Sequence, residues 1–235
     1  MEPIYLEDSY IKEFDAIITA VQDNRIELNR TAFYPESGGQ LGDKGILIIN
    51  GKKHNVMNTK KEQGRIFHYL EFIDNLKVND KVKGIIDWNL RYKMMRMHTA
   101  AHILSAIINK ETKAMITGNQ LGYEKSRIDF DLENFDKEMF KIFIEKANEE
   151  IIKEQEVVSY IISRKDAEKK PELCRLAKGL PESIQEIRIV KIGNIDEQAD
   201  GGTHVKNTRE IGKIILVGME NKGKNNRRIY FSVEP

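Results

Sequence analysis

The sequence predicts an α+β protein, in which a small N-terminal β-barrel domain precedes a larger domain of mixed helices and strands. Short runs that alternate apolar and polar residues fill the first part of the chain. A helical spacing of apolar residues then begins near residue 90, and further strand-like runs follow it. We therefore expect residues 1–88 to form the barrel domain and residues 89–235 to form the second domain.

Six short runs in the first domain have the alternation of half-buried strands. They are residues 16–21, 25–28, 44–49, 54–58, 66–69 and 81–87. Turn-forming pairs separate several of them, for example Asp23-Asn24 and Asn50-Gly51. Many short strands joined by tight turns are typical of a small barrel.

The second domain opens with one long predicted helix, for which Asn89 is the expected N-cap. Its apolar residues step by three and four: Leu90, Met94, Met97, Ala101, Leu104 and Ile108. A second helix is predicted after residues 134–136, with Phe140, Phe143, Ala147 and Ile151 on one face. Strands are predicted at residues 157–163, 187–192, 211–217 and 229–233.

Composition indicates a folded chain on the polar side, since 40% of the 235 residues are hydrophobic and 32% are charged. A net charge of +1 excludes a polyelectrolyte binder, so contacts with nucleic acid must come from local clusters. Cys174 is the single cysteine, which excludes an internal disulfide framework and leads us to expect a cytoplasmic location. The first residues lack the pattern of a signal peptide, and no apolar run approaches the roughly 20 residues that span a bilayer.

His98 and His102 form an H-x-x-x-H pair within the long predicted helix. Residues four apart share one helix face, with about 5–6 Å between their Cβ atoms, so two such imidazoles can bind one metal ion. The same spacing also arises by coincidence on a helix surface or in a core.

A second segment, residues 198–205, strengthens the metal hypothesis because it reads QADGGTHV. Asp200 and His204 offer a carboxylate and an imidazole on either side of Gly201 and Gly202. These glycines can adopt dihedral angles closed to other residues, which would curl the loop towards one point. Together with the helix pair, this gives four ligands of the types that zinc accepts, and we expect one zinc ion per chain. The alternative for Asp200 is a turn-forming role before the glycine pair.

The histidine pair does not have the sequence of a zinc peptidase. Those helices carry Glu directly after the first His as a general base, whereas Thr99 follows His98 here. The sequence identifies no separate general base, and any hydrolysis must depend on the zinc centre itself.

Four motifs run in order along nearly the whole chain. They are TAFYPESGGQLGDKG at 31–45, RMHTAAHIL at 96–104, KSRIDFDL at 125–132 and QADGGTHVKNTREIG at 198–212, the last followed by NKGKNNRRIYF at 221–231. Together they resemble the editing domains of alanyl-tRNA synthetase and their free-standing relatives, the AlaX proteins. The length is similar to that of the medium form of AlaX, and it leaves no room for an aminoacylation domain.

The resemblance implies a zinc-dependent hydrolase whose partner is the acceptor end of alanine tRNA charged with serine or glycine. It implies hydrolysis of the ester between the wrong amino acid and the terminal adenosine. One position departs from the family, which often has Cys where this chain has Asp200. A carboxylate oxygen still binds zinc at about 2.0–2.2 Å, but it leaves open whether Asp200 or a water is the fourth ligand. Cys174 does not replace it, since a helical or packed thiol is the expected state.

Seven residues are candidates for substrate binding: Thr117, Asn119, Arg127, Gly38, Gly39, Gly201 and Gly202. Thr117 and Asn119 are expected to bind the serine hydroxyl, or else to form a turn around Gly118. Arg127 points into a cleft or forms a surface salt bridge. Gly38 and Gly39 let the backbone approach the acceptor end, or they simply make a tight turn.

Two functions of other classes compete with the hydrolase. One is a zinc-stabilised module that binds the tRNA acceptor without hydrolysis, in which Asp200 would mark the loss of activity. The other is a structural zinc protein with no role on RNA. Three histidines in one site favour a working centre, since structural zinc sites usually use several cysteines.

Overall fold

The computed structural model describes residues 1–133, 136–173 and 185–235. Within these ranges the chain forms two compact units, residues 1–94 and residues 95–235. Cys174 and Asn134 lie outside the described residues.

The first unit is built from strands, one short 3-10 turn at Ile4–Leu6 and the start of a long helix at its end. Its strands are β1 (Glu2–Pro3), β2 (Glu13–Gln22), β3 (Arg25–Leu28), β4 (Arg30–Thr31), β5 (Gly45–Ile49), β6 (Lys52–Glu62), β7 (Arg65–Leu70) and β8 (Lys81–Ile86). Six of them close into a barrel in the order β2-β3-β7-β6-β5-β8. Each strand of the barrel is antiparallel to both of its neighbours. The predicted small barrel is confirmed, and each of the six predicted runs overlaps one barrel strand.

Alternation along the strands fills the barrel interior. Ile18, Ile26, Leu28 and Leu47 are fully buried in one apolar cluster. Their neighbours in sequence point to the other face of the sheet, because successive side chains of a strand alternate. This is the physical basis of the pattern read from the sequence.

A buried ion pair occupies the same unit. The guanidinium of Arg91 has no exposed surface, and it contacts the carboxylate of Asp43 through Nη2 and, at 2.9 Å, through Nε. Its other donors reach the carbonyls of Ser9 at 2.8 Å and of Ala32. The Asp43 carboxylate also accepts the N–H of Tyr34 at 2.6 Å. A buried charge is tolerated when it is paired and hydrogen-bonded in this way.

The long helix α1 (Trp88–Thr112) begins two residues earlier than the sequence suggests. Asp87 is the residue before it, and its Oδ1 accepts the N–H of Leu90 at 3.1 Å while its carbonyl accepts the N–H of Arg91 at 3.0 Å. The expectation that Asn89 is the N-cap is therefore wrong. Strand β8 ends at Ile86, so the Asp87 carboxylate is the first that can reach the unpaired N–H groups of the helix.

Helix α1 continues into the second unit, where the described residues form two more helices and two sheets. These elements are β9 (Ile116–Gln120), β10 (Ser126–Phe130), α2 (Lys137–Ile151), β11 (Val157–Ser163), α3 (Arg164–Ala167), β12 (Glu186–Ile192), β13 (Asp196–Ala199), β14 (Lys213–Asn221) and β15 (Arg227–Glu234), with 3-10 turns at Pro171–Leu173 and Thr208–Ile211. One antiparallel sheet has the order β14-β15-β10-β9 and the other β11-β12-β13. The mixed α+β content is confirmed.

Helix α2 has the buried face that its spacing predicts: Phe140, Phe143, Ala147 and Ile151 are all buried. Asp136 is its N-cap and accepts the N–H of Glu138 at 2.9 Å. The strand predicted at 211–217 begins later, because Ile211 ends a 3-10 turn and Gly212 follows at φ 75°. No helix in the described ranges is both long and apolar enough to cross a bilayer.

His68 is a fully buried histidine of the barrel with both ring nitrogens in contact with polar groups. Nδ1 lies 3.3 Å from the carbonyl of Ile26, which can only accept, so Nδ1 carries the proton. Nε2 lies 2.8 Å from Oγ1 of Thr31 and therefore accepts from that hydroxyl. Burial lowers the pKa of His68 to about 4, against the smaller effect of its bond to Ile26.

We predict that His68 makes the barrel less stable as the pH falls from about 6.5 to 4. In the unfolded chain His68 takes up a proton with a pKa of about 6.5, whereas the folded state resists protonation until about 4. The lost free energy of unfolding is about 3 kcal/mol between pH 7 and pH 4. The measurement is denaturant unfolding at both pH values, followed by the fluorescence of Trp88, the single tryptophan. In His68→Gln, the decrease in the free energy of unfolding between pH 7 and pH 4 should be smaller than in the unaltered protein by about 3 kcal/mol. An equal pH dependence in both proteins would contradict the assignment.

Candidate metal centre

Helix α1 brings the two predicted histidines together. His98 and His102 are one turn apart, and the centroids of their rings are 5.1 Å apart. Their side chains are only 6% and 12% exposed, so both rings point into the interior. The H-x-x-x-H spacing therefore places two imidazoles side by side, as expected from helix geometry.

The loop after β13 carries the other two candidate ligands, and Arg188 of β12 fixes its backbone. The N–H of Asp200 donates to the carbonyl of Arg188 at 3.0 Å. In return, Nη1 of Arg188 donates to the carbonyls of Asp200 and Gly202, both at 3.1 Å. The N–H of Gly202 donates to Oδ2 of Asp200 at 2.7 Å, which orients the carboxylate. These bonds hold the loop in one conformation.

Gly202 is required for space and not for unusual dihedral angles. A Cβ at this position would lie 2.2 Å from Cε1 and 2.3 Å from Nδ1 of His98. Neither Gly201 nor Gly202 has a positive φ, so the expectation that both adopt conformations closed to other residues is wrong. A Cβ at Gly201 would meet no atom within 4 Å. The backbone at Gly202 thus packs directly against one imidazole, and Gly201 has no such neighbour.

The four candidate ligands converge on one volume. One ligating atom from each of His98, His102, Asp200 and His204 can be chosen so that all lie within 4.8 Å of one another. Oδ1 of Asp200 is 3.4 Å from Nε2 of His98 and 4.0 Å from Nε2 of His102, and Oδ2 is 2.8 Å from Nε2 of His204. Zinc bonds of about 2.0–2.1 Å place neighbouring ligands of a tetrahedron about 3.4 Å apart. The group could therefore hold a metal ion with only small adjustments.

Burial and charge set the protonation of the cluster. Burial lowers the pKa of His98 well below its usual value, and it lowers the pKa of His204 to about 4 despite the neighbouring carboxylate. Burial alone would raise the pKa of Asp200, but the facing imidazoles of His98 and His204 hold it well below its usual value. His98 and His204 are therefore neutral beside one carboxylate, which is the state that a divalent metal requires of its ligands.

Two further residues contact the imidazoles from outside the cluster, and the sequence does not single them out. Nδ1 of His102 lies 2.8 Å from Oδ2 of Asp196, and Nδ1 of His204 lies 3.2 Å from Oγ1 of Thr99. Asp196 begins the short strand β13, which the sequence does not predict. A signal exists, since Asp196, Gln198 and Asp200 alternate as residues on one face of a strand do, and the first two are buried.

The predicted substrate-binding residues of the second unit lie on the four-stranded sheet. Arg127 forms an ion pair with Asp129 at 2.8 Å and donates to Gln120 at 3.2 Å, which matches the salt-bridge alternative. Thr117 is exposed. Asn119 pairs with Ile128 of β10. None of the three belongs to the cluster of four ligands, and their roles stay predictions.

Gly38 and Gly39 form a tight turn in the first unit. Both have positive φ, 57° and 86°. The N–H of Ser37 and the carbonyl of Gln40 are 3.2 Å apart, and the reciprocal pair is 2.9 Å apart. The turn explains why glycine is favoured here, and a contact with substrate stays a prediction.

Comparisons with known proteins agree with this architecture. The family model described as tRNA synthetases class II (A) matches residues 6–90. The model of the threonyl and alanyl tRNA synthetase second additional domain matches residues 187–230, which include Asp200 and His204.

Full-length relatives are also similar. The alanyl-tRNA editing protein AlaX-M of Methanosarcina barkeri is 48% identical over 99% of this chain and 98% of its own length. AlaX-M of Saccharolobus solfataricus is 44% identical over 100% of this chain and 99% of its own length. The alanine–tRNA ligase of Metallosphaera sedula is 36% identical over 93% of this chain, but that match covers only 24% of the ligase. The motifs read from the sequence and the identity along the whole length lead to one conclusion: the chain belongs to the AlaX family of alanyl-tRNA editing proteins.

Proposed function

We propose that this chain is a zinc-dependent aminoacyl-tRNA deacylase that removes serine or glycine from alanine tRNA in the cytoplasm. It hydrolyses the ester that joins the wrong amino acid to the terminal adenosine. The observation that carries the proposal is the convergence of three imidazoles and one carboxylate, of which His98 and His204 are buried, in a chain whose full-length relatives are named alanyl-tRNA editing proteins.

The donor set suits zinc, which accepts imidazole nitrogen and carboxylate oxygen at four positions. We assign His98, His102, Asp200 and His204 as its ligands. When bound, zinc supplies a Lewis acid that polarises the ester carbonyl or a water molecule, or it holds the substrate in register.

The residues of the chain supply the surroundings in which an ester can be held. Arg188 fixes the backbone of the loop that carries Asp200, and the N–H of Gly202 fixes one carboxylate oxygen. Because the imidazoles of His98 and His204 are buried, bulk water is largely excluded from them, and electrostatic interactions in such a site are stronger than in water. Groups held this rigidly lose little orientation on binding substrate.

Selection of serine requires a polar contact with its hydroxyl. A site built to hydrogen-bond a hydroxyl rejects an analogue without it far more strongly than an apolar pocket rejects added bulk. We assign this contact to Thr117 and Asn119 and contacts with the charged tRNA end to Arg127, Gly201 and Gly202. For the first unit, we propose that the backbone at Gly38 and Gly39 approaches the acceptor end of the tRNA closely.

The proposed function is tested by a deacylation assay on alanine tRNA charged with serine, glycine or alanine. We expect release of serine or glycine, little release of alanine, and loss of activity after removal of metal by a strong chelator. Restoration by added zinc controls for damage to the protein. A folded, zinc-loaded protein that binds the tRNA without releasing any amino acid would establish the binding module instead.

We predict that Asp200 is a direct zinc ligand. Asp200→Ala should lower zinc affinity at least about tenfold. Loss of a residue that only hydrogen-bonds to a ligand already lowers metal affinity about 10–100-fold, and loss of a direct ligand should cost no less. Asp200→Cys should bind zinc at least as tightly as the natural carboxylate, since zinc accepts thiolate readily. Competition with a chromophoric chelator measures both. If neither change alters zinc affinity, water and not Asp200 completes the site.

A matched pair of glycine changes tests the packing at the loop. Gly202→Ala places a methyl group against the His98 ring, so we expect zinc affinity to fall about tenfold or more through displacement of that ring. Gly201→Ala adds the same methyl group in open space and should leave zinc affinity unchanged. Chelator competition on both variants decides the question, and equal affinities would show that the loop yields without moving His98.

A further inference from the structure

Two imidazoles of the cluster have their Nδ1 atoms in contact with buried polar groups. Nδ1 of His102 lies 2.8 Å from Oδ2 of Asp196, whose side chain has no exposed surface. An ionised carboxylate can only accept hydrogen bonds, so His102 must carry its proton on Nδ1. Its other nitrogen, Nε2, is then free of a proton and faces Oδ1 of Asp200 at 4.0 Å.

His204 is held in the same way by a hydroxyl. Oγ1 of Thr99 donates its proton to the carbonyl of Met95 at 2.9 Å. The same oxygen lies 3.2 Å from Nδ1 of His204 and 3.3 Å from the N–H of Val205, so it can accept from both. When His204 ligates a metal, its proton is therefore on Nδ1. Without the metal, Nε2 lies 2.8 Å from Oδ2 of Asp200, a carboxylate oxygen that can only accept, so a proton occupies Nε2 until the ion displaces it.

We propose that Asp196 and Thr99 are positioning residues of the metal centre, which set the tautomer and the ring orientation of His102 and His204. With a metal bound, each accepts a hydrogen bond from the proton on Nδ1 and leaves Nε2 to face the ligand cluster. The proposal rests on the metal binding assigned under the proposed function, and it is independent of which amino acid is removed.

The fold supplies both residues from the segments that supply the ligands. Thr99 follows His98 directly, and its bond to Met95 is the i to i−4 bond that a threonine makes within its own helix. Asp196 starts β13 opposite Ile192 of β12, and Asp200 follows the end of the same strand. The helix thus carries Thr99, which contacts His204 of the loop. The strand carries Asp196, which contacts His102 of the helix.

Loss of such a partner typically costs 10–100-fold in metal affinity, because the ring is free to rotate or to take the other tautomer. Asp196→Asn has nearly the same shape, but its amide can donate to Nδ1 and so favour the wrong tautomer. Thr99→Val removes the hydroxyl at similar volume. Thr99→Ser keeps the hydroxyl, and Glu197→Gln removes a carboxylate next in sequence that contacts Tyr160 instead.

The experiment measures the zinc dissociation constant of these four variants by chelator competition, together with the melting temperature of each protein without and with zinc. We expect Asp196→Asn and Thr99→Val to bind zinc about 10–100-fold more weakly and to gain less melting temperature from zinc. Thr99→Ser and Glu197→Gln should resemble the unaltered protein in both measurements.

Other outcomes overturn the proposal. The proposal is wrong if Asp196→Asn and Thr99→Val bind zinc as tightly as the unaltered protein. If these variants also melt at a lower temperature without metal, the two residues have a purely structural role. Absence of zinc binding by the unaltered protein would overturn it as well. Zinc binding without hydrolysis would overturn the proposed function alone and leave the positioning roles intact.

Discussion

The second unit is organised around the burial of four polar side chains in one volume. His98, His102, Asp200 and His204 are between 3% and 18% exposed, and polar groups so placed destabilise a fold unless each has a partner. Asp196 and Thr99 contact two of the imidazoles, and the N–H of Gly202 contacts the carboxylate. These requirements fix the start of β13, the path of the loop after it and the absence of a side chain at Gly202.

The two units use buried histidine in different ways, and hydrogen bonding distinguishes them. In the barrel, both ring nitrogens of His68 contact groups of the fold, Ile26 and Thr31, so this ring has a structural role. In the second unit, the fold contacts Nδ1 of His102 and of His204, while their Nε2 atoms face one carboxylate. Both partners of His68 are groups of the barrel outside any ligand cluster, whereas the Nε2 atoms of His102 and His204 face a carboxylate that is itself a candidate ligand, so these two rings are oriented for a metal.

The sequence predicts those features that follow from local periodicity. The barrel strands, the buried face of α2 and the convergence of His98 and His102 depend on side chains two, three or four residues apart. The remaining features depend on contacts between distant segments. Asp196 acts on His102 across 94 residues, and Gly202 is small because of His98 and not because of its own dihedral angles. Asp87 replaces Asn89 as the cap because the preceding strand ends beside it. The ion pair of Arg127 with Asp129, two residues further along the same strand, follows from alternation, whereas the contact of Asp129 with Arg228 depends on formation of the sheet.

A carboxylate at position 200 preserves the charge of the centre while changing the number of contacts that it makes. Thiolate and carboxylate each carry one negative charge, so either gives the same formal charge at this position. A thiolate has a single sulfur, whereas Asp200 has two oxygens: Oδ2 accepts the N–H of Gly202 and lies 2.8 Å from Nε2 of His204, and Oδ1 faces His98 and His102. One oxygen is thereby anchored to the loop while the other is directed at the ligands of the helix. The loop conformation and the position of a ligating atom are consequently fixed by the same side chain.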